Sequence, residues 1–239
     1  MPYNNQMAGI AAQPAAKARY EFKPGPYSSH TLLIGRFPKQ GAGRRVLDLG
    51  CAAGYLAKIL TDRGFSVTCI DWPGTPHPPT VEFSGADLDD GIGPVGGPFE
   101  YIICGDLIEH LRDPLRLLQE CRKKLAPGGL LVASLPNSGH WYFRWNVLLG
   151  RFPQHERGLF DSTHLHFYPW SGWVNLLDRA GFRIETVCAS SVPFGLALPR
   201  WNGSLLVSCL ERLSVASARV WKSLFAYQFI VTARANPAG

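Results

Sequence analysis

An acidic residue followed by closely spaced glycines ends the first apolar run of the chain, in the stretch VLDLGCAAGYLA (residues 46–57). Asp48 lies near the end of the run, and Gly50 and Gly54 precede a segment with the apolar spacing of a helix. Glycines at such a turn let the backbone bend sharply and approach a ligand, while the first helical turn offers unpaired N–H groups. This pattern predicts a ligand site at the strand–helix junction.

The spacing of this turn argues against a dinucleotide. The pyrophosphate fingerprint G-x-G-x-x-G needs three glycines, whereas here Ala52 occupies the middle position and the glycines are Gly50 and Gly54. A carboxylate such as Asp48 repels a phosphate but attracts a sulfonium or an amino group. The turn therefore favours a cationic ligand.

The distribution of charge leads to the same expectation. The 239-residue chain has a net charge of +6, but residues 1–45 contribute +6, residues 46–140 contribute −5 and residues 141–239 contribute +5. A polyanion partner would require a uniformly basic face. An acidic centre between basic flanks instead favours a cationic or polyol ligand, and no nucleic-acid partner is expected.

Short apolar runs alternate with helical patterns from Arg45 onward, which is typical of stacked β-α units and a mainly parallel sheet. Helices are predicted over residues 54–63, after Asp113 with Pro114 at its first position, and around Trp173 up to Gly181. The predicted strands cover residues 45–49, 65–70, 81–84, 101–104 and 130–135, a sixth starts at residue 182, and a seventh covers 225–233.

Two segments interrupt this regular alternation. DWPGTPHPPT (residues 71–80) stands where a second crossover helix is expected, and its four prolines predict an irregular loop instead. Pro127, Gly128 and Gly129 are predicted to turn the chain into the fifth strand.

Five motifs in order carry a resemblance to a known family: DLGCAAG, the acid Asp71 after the second strand, ADLDD, EYIICGDLIEHLRDP and LAPGGLLVASLPN. Together they resemble class I S-adenosylmethionine-dependent methyltransferases, particularly the branch with the ubiquinone-biosynthesis O-methyltransferases. The resemblance covers roughly residues 45–190. It implies an α/β, Rossmann-like, seven-stranded, mainly parallel sheet with helices on both faces and the last strand antiparallel, plus helical insertions after strands 5 and 6.

The resemblance also implies S-adenosylmethionine as cofactor and a role for nine residues in binding it. The methionine part would lie by Asp48, Gly50, Cys51 and Gly54, the ribose by Asp71, the adenine by Trp72, Asp87 and Leu88, and the methyl group by Gly105. Ala52 departs from the glycine commonest in the family. Two alternatives stay open, since Asp48 and Asp71 could cap helix ends and Trp72 could be a packing residue.

The motif DLIEH supplies the candidate catalytic residues. Asp106, Glu109 and His110 would share a face if this turn is helical. His110 is the natural base for a hydroxyl acceptor because the pKa of histidine lies near neutrality, and Glu109 would orient it or the substrate. The alternatives are a structural histidine, or a divalent metal held by Glu109, His110 and a later His164 or His166, as in related small-RNA 2′-O-methyltransferases; the preferred interpretation has no metal.

The domain prediction is an N-terminal cap over residues 1–44 and a methyltransferase domain over 45–239. Within it, residues 139–170 form a substrate cover whose aromatic side chains and Arg144, Arg151 and Arg157 suit an aromatic or anionic small molecule, or else simply pack on the sheet. Residues 196–224 form an amphipathic helical insertion, either a lid, a homodimer helix or a membrane-surface contact.

The predicted function is methylation of a small molecule, most readily on oxygen. The alternatives are a non-catalytic S-adenosylmethionine-binding partner of a biosynthetic enzyme and a metal-dependent RNA 2′-O-methyltransferase. A cytoplasmic location is expected, because the six cysteines contain no C-x-x-C pair and neither a secretory signal nor a membrane span is evident.

Overall fold

The computed structural model describes residues 22, 23 and 25–236. Seven strands and eight α-helices are found in this part of the chain. The strands are β1 Arg45–Leu49, β2 Ser66–Asp71, β3 Glu82–Gly85, β4 Phe99–Gly105, β5 Leu125–Pro136, β6 Phe182–Ala189 and β7 Gln228–Ala235. The helices are α1 Ser29–Ile34, α2 Tyr55–Asp62, α3 Pro114–Lys124, α4 Trp141–Leu148, α5 Trp170–Arg179, α6 Phe194–Ala197, α7 Leu205–Val220 and α8 Lys222–Phe225.

The strands form one sheet in the order β3-β2-β1-β4-β5-β7-β6. The pairs among β1 to β5 are parallel, and β7 runs antiparallel to both β5 and β6. The order reverses between β1 and β4, and open α/β sheets bind ligands at such a switch point. The predicted fold class is confirmed, including the antiparallel last strand.

Side chains from the two faces of the sheet form two separate apolar clusters. Leu47 and Leu49 of β1 belong to the cluster covered by α3 and α5, whereas Val46 belongs to the cluster covered by α1 and α2. This alternation follows the two-residue period of a strand. Helices therefore cover both faces, which explains why the central strands are apolar throughout.

The chain between β2 and β3 contains turns and bends in place of a crossover helix, as its prolines predict. The predicted turn at residues 127–129 is wrong, because these residues lie within β5. The pairing of β4 with β5 shifts register there, from Phe99 opposite Leu125 to Tyr101 opposite Leu130. The glycines therefore lie at an irregularity within a strand and not in a turn before it. Asp113 caps α3 by accepting a hydrogen bond from the Arg116 N–H, as expected.

The helices predicted as insertions after β5 and β6 are α4 and α6 to α8. Helix α7 exposes Leu205, Leu213 and Val220, and its role as a lid, dimer helix or membrane-surface contact stays a prediction. None of the helices in the described residues has the length and hydropathy needed to cross a bilayer. The predicted N-terminal cap lies in part outside the described residues, as does the stretch on which the absence of a secretory signal was predicted.

Candidate active site

The candidate site lies at the edge of the sheet where β1 to β4 end. Leu49 pairs with Cys104, and Asp71 pairs with Gly85, so the ends of four adjacent strands are level with one another. The Ala86 N–H also donates to the Asp71 carbonyl, which draws the chain after β3 toward the end of β2. This edge brings together the segments that carry the nine predicted cofactor residues.

Asp71 fixes the loop that follows β1. Its Oδ2 accepts a hydrogen bond from the Ala52 N–H at 2.7 Å, and its Oδ1 accepts one from the Trp72 N–H, also at 2.7 Å. Ala52 adopts a left-handed conformation with φ of 48°, which glycine adopts at lower cost. The bond that the Ala52 N–H donates to Asp71 helps to hold this conformation. Oδ2 keeps a further lone pair for a ligand hydroxyl, whereas Oδ1 also accepts from Thr75 Oγ1 at 3.3 Å, a bond that a second ligand hydroxyl would have to replace.

Asp48 is a buried acid with an unused acceptor. Its residue is 2% exposed, and its Oδ2 has no hydrogen-bond partner among the described residues. Burial, and secondly the charge of Asp71, raise the pKa of Asp48 to about 7. Because leaving a buried acceptor unpaired costs free energy, a cationic ligand that reached this oxygen would be favoured. This property fits the sulfonium and ammonium groups of S-adenosylmethionine.

The other predicted cofactor residues line the same edge. Gly50 and Gly54 both have a φ of 69°. A Cβ on Gly54 would lie 2.5 Å from Pro78 Cδ, so the absence of a side chain at Gly54 admits the proline-rich loop. Trp72 exposes 60% of its surface beside Asp71, in a position open to a flat ring. Cys51 and Leu88 are buried. Asp87 accepts a hydrogen bond from the Asp89 N–H, and Gly105 is the last residue of β4.

Asp106 does not share a face with Glu109 and His110, because only Ile108–His110 forms a short 3-10 turn. Asp106 precedes it with a φ of 50°. Its Oδ1 accepts hydrogen bonds from Ser134 Oγ at 2.5 Å and Gln228 Nε2 at 2.8 Å. The expected i, i+3, i+4 arrangement of the three side chains is therefore wrong, since backbone strain and these partners direct Asp106 elsewhere.

His110 is held by the segment between α4 and α5. Its Nδ1 lies 3.1 Å from both the carbonyl oxygen and the Oγ1 of Thr163. A carbonyl can only accept, so in the neutral imidazole Nδ1 carries the proton and Nε2 holds the lone pair. The Thr163 hydroxyl in turn donates to Asp161 Oδ1 at 2.6 Å, which leaves its oxygen free to accept from Nδ1–H. Nε2 is therefore the nitrogen that can receive a proton.

Glu109 and His164 form a buried neighbour pair beside His110. Glu109 is 1% exposed, and its Oε1 lies 3.9 Å from His164 Nε2. Burial, followed by the charge of Asp106, raises the pKa of Glu109 well above its usual value. Burial, followed by the charge of His110, lowers the pKa of His164 to about 4. His164 is therefore neutral near pH 7, and burial disfavours the charged form of Glu109.

These three side chains are also the group that could ligate a metal. Glu109, His110 and His164 each offer a ligand atom, and the three atoms lie within 4.8 Å of one another. A carboxylate and two imidazoles suit several divalent cations. His166, the alternative third ligand, is not part of this group, and its Nε2 lies 2.8 Å from the Leu111 carbonyl oxygen.

Three residues at the site escaped prediction from the sequence. Thr163 contacts His110 directly, and Asp161 accepts a hydrogen bond from Thr163. Lys23 donates to Asp106 Oδ2 at 3.0 Å. Thr163 lies in the stretch STHLHFYP, in which the sequence marks only the two histidines, as candidate metal ligands. Nothing in the local sequence of Lys23 indicates its place at the site.

Comparison with known proteins identifies the family of the chain. The family described as a methyltransferase domain matches residues 26–187. Ubiquinone biosynthesis O-methyltransferase from Xylella fastidiosa (strain 9a5c) is 33% identical over 179 residues, which cover 60% of this chain and 72% of the relative. The enzyme of the same name from Caulobacter sp. (strain K31) is 32% identical over 121 residues, covering 44% of this chain and 48%, about half, of the relative.

Solved structures show the same fold. An S-adenosylmethionine-dependent methyltransferase from Mesorhizobium loti has a TM-score of 0.58 at 21% identity, with 87% of this chain and 98% of that chain covered. The ordered motifs, the sheet order with its antiparallel β7, and the family match over more than half of the chain lead to one conclusion. The chain belongs to the class I S-adenosylmethionine-dependent methyltransferases.

Proposed function

We propose that this chain transfers the methyl group of S-adenosylmethionine to a hydroxyl oxygen of a small aromatic acceptor, with His110 as the general base. The observation that carries the proposal is the contact between His110 Nδ1 and the Thr163 carbonyl, which leaves Nε2 available for a proton. Methylation on oxygen is supported by the names of the relatives, which are O-methyltransferases.

The cofactor residues keep the roles that the family resemblance implies. Asp71 would accept hydrogen bonds from the ribose hydroxyls, and Asp48 would face the cationic methionine part. Trp72 would cover one face of the adenine, while Gly105 would border the position of the methyl group. Gly50, Cys51, Gly54, Asp87 and Leu88 would complete the binding surface.

The unpaired Asp48 carboxylate predicts that cofactor affinity depends on pH. Because the pKa of Asp48 is raised to about 7, the carboxyl group is largely neutral below that pH and ionised above it. A cationic ligand binds the ionised form, so the affinity for S-adenosylmethionine should rise on the order of tenfold between about pH 6 and pH 8. Isothermal titration at several pH values measures this dependence.

Asp48→Asn is the matched variant for this measurement. It should bind S-adenosylmethionine more weakly and with a flatter pH dependence, because asparagine does not titrate. Any slope that remains in the variant reports ionisation of the ligand itself. An equally steep slope in both proteins would show that Asp48 does not face the cationic part of the cofactor.

The proton of the acceptor hydroxyl would pass to Nε2 of His110. When bound, S-adenosylmethionine supplies an electrophilic methyl group, and the protein must deprotonate the hydroxyl and hold its oxygen in line with the methyl carbon. The Thr163 carbonyl accepts from Nδ1–H and so stabilises the imidazolium that forms. Glu109, buried beside the same turn with its pKa raised by that burial, would orient the acceptor through its carboxyl group.

The cover after β5 supports an aromatic acceptor. Phe143 of α4 stacks on Phe160 with ring centroids 4.4 Å apart, and both side chains are buried. Arg144, Arg151 and Arg157 are exposed, so they lie at the outer surface of this cover. The aromatic cluster would form an apolar wall, and the arginines would act only on the approach of an anionic molecule.

Thr163→Val tests the support of the proposed base. The substitution keeps the carbonyl but removes the hydroxyl that bonds to both His110 and Asp161, so the imidazole loses one of its two partners. We expect kcat with catechol as acceptor to fall on the order of tenfold, while the Kd for S-adenosylmethionine stays the same.

Thr163→Ser is the control, since serine restores the hydroxyl and should recover most of the turnover. A second comparison uses 4-nitrocatechol, whose acidic hydroxyl is ionised at about pH 8 and needs no base. The loss in Thr163→Val should be smaller for this acceptor. Equal losses for both acceptors would assign Thr163 a structural role only.

Because Glu109, His110 and His164 could ligate a metal, the metal dependence of the reaction must be measured. Our proposal expects turnover of catechol to be the same after EDTA treatment and after addition of Mg²⁺. Turnover that requires Mg²⁺, together with RNA binding that weakens steeply with salt, would favour the RNA methyltransferase alternative.

A further inference from the structure

Lys23 precedes the first helix and reaches the end of β4. Its ammonium group donates to Asp106 Oδ2 at 3.0 Å, and Asp106 follows Gly105 directly. The Lys23 side chain is 30% exposed and that of Asp106 18% exposed, so the pair lies near the surface of the site rather than in the core. Lys23 also lies outside residues 26–187, which the methyltransferase family matches.

Two hydrogen bonds and two ring contacts fix the backbone around Lys23. The Lys23 N–H donates to His30 Nδ1 at 3.1 Å, and the Lys23 carbonyl accepts from Ser28 Oγ at 2.6 Å. The ring of Phe22 lies 5.5 Å from that of His30 and 6.4 Å from that of Tyr55, at the start of α2. The ammonium group is therefore positioned by its surroundings and is not the end of a loose tail.

The bond to Asp106 leaves Lys23 with unused donors. An ammonium group has three N–H donors, and Asp106 takes the one for which a partner is found among the described residues. Asp106 does not depend on Lys23 alone, because Ser134 and Gln228 donate to its other oxygen. Burial opposes ionisation of Asp106, but the charge of Lys23 and the bond from Ser134 outweigh it and hold the pKa of Asp106 low.

A fixed cation at this place would assist the proposed reaction in addition to the imidazolium that forms at His110. As the proton leaves, negative charge develops on the acceptor oxygen, and fixed donors in a partly dry site stabilise such charge strongly. The other titratable side chains around the Lys23–Asp106 pair are Glu109, His30 and His164; Glu109 is an acid, and burial lowers the pKa of His164 to about 4, so it carries no charge near pH 7. His30 donates nothing at Nδ1, because that nitrogen accepts from Lys23, and burial lowers the pKa of His30.

We infer that Lys23 is a further catalytic residue, whose ammonium group, held by Asp106, binds the acceptor oxygen and stabilises it as an oxyanion. This inference rests on the proposed function, since it requires a hydroxyl acceptor at the end of β4. The simpler role, a salt bridge that only fastens the N-terminal segment, gives different experimental results.

The test uses 4-nitrocatechol as an optical probe, because its absorbance reports whether its hydroxyl is ionised. The probe is titrated against pH while bound to the full chain with S-adenosylhomocysteine. We expect the bound hydroxyl to have a pKa lower than in solution by about one unit or more. Lys23→Gln, which can still hydrogen-bond to Asp106, should remove this shift, and Lys23→Arg should keep most of it.

Lys58→Gln is the matched control, because Lys58 forms an exposed ion pair with Asp62 at 2.8 Å. A shift that persists in Lys23→Gln, or that is absent from the wild-type protein, would overturn the role of Lys23. Either result leaves the proposed function intact if catechol is still methylated. Failure of the probe to bind, combined with no methylation of catechol, would contradict the proposed function, and the inference with it.

Discussion

Replacing His110 by alanine is expected to lower kcat for methylation of catechol by about 10² to 10⁴-fold, the usual contribution of a positioned general base. The His110 Nδ1–H donates to the Thr163 carbonyl, so Nε2 has a lone pair that can accept the hydroxyl proton. The Kd for S-adenosylmethionine should change by less than about twofold, because the cofactor residues lie on other segments. Steady-state kinetics and isothermal titration measure the two quantities.

Two further measurements separate loss of a base from loss of structure. Added imidazole should restore part of the turnover of His110→Ala, since a free base can enter the vacated space. Turnover of 4-nitrocatechol at about pH 8 should fall much less than that of catechol, because its hydroxyl is already ionised. Unchanged turnover of catechol would remove His110 from the mechanism.

Asp71→Ala is expected to weaken S-adenosylmethionine binding by about 10²-fold or more. Two charge-assisted hydrogen bonds to the ribose would be lost, each contributing about 1.5 to 3 kcal/mol. The substitution also removes the acceptor that holds Ala52 in its left-handed conformation, so the loop around the methionine part loses its support. The effect should therefore exceed that of removing the hydrogen bonds to the ribose alone.

Asp62→Ala is the control, because Asp62 forms an exposed pair with Lys58 on the outer face of α2. This variant should bind the cofactor like the wild-type protein. A thermal midpoint measured without ligand shows whether Asp71→Ala remains folded. If a folded Asp71→Ala binds S-adenosylmethionine with unchanged affinity, the cofactor does not lie at the end of β2.

Much of the fold could be predicted because its signals are local. The apolar run 45–49 and the cap at Asp113 match β1 and the start of α3, since strand burial and helix capping depend on neighbouring residues. The segment 127–129 was assigned wrongly, because proline and glycine favour turns while pairing with β4 held the chain in β5. Tertiary pairing overrides local preference at such points.

The candidate site was predictable only where its residues belong to motifs. Asp48 and Asp71 lie at the carboxyl ends of β1 and β2, and such positions in a parallel sheet meet at one edge. Lys23 and Thr163 reach the site through long-range packing, with Asp106 and His110 as partners 83 and 53 residues away. The position of Asp106 also depends on Ser134 and Gln228, which no local pattern connects to it.

The acids and bases of this edge divide into three groups with separate tasks. Asp48 and Asp71, beside the loop after β1, suit a cationic and hydroxyl-rich cofactor. His110, backed by Thr163, suits removal of a proton, and Lys23, held by Asp106, suits the oxygen that remains. The net charge of the whole chain conceals this arrangement, since the acidic centre lies between basic flanks.

The most direct test of this account follows the methyl group itself. The protein is incubated with S-adenosylmethionine carrying a ¹³C-labelled methyl group and with catechol, and the products are examined by NMR. We expect a labelled methyl ether and an equal amount of S-adenosylhomocysteine, with His110→Ala giving neither at a comparable rate. A label found on carbon or nitrogen, or no transfer to any hydroxyl from a protein that binds S-adenosylmethionine, would contradict it.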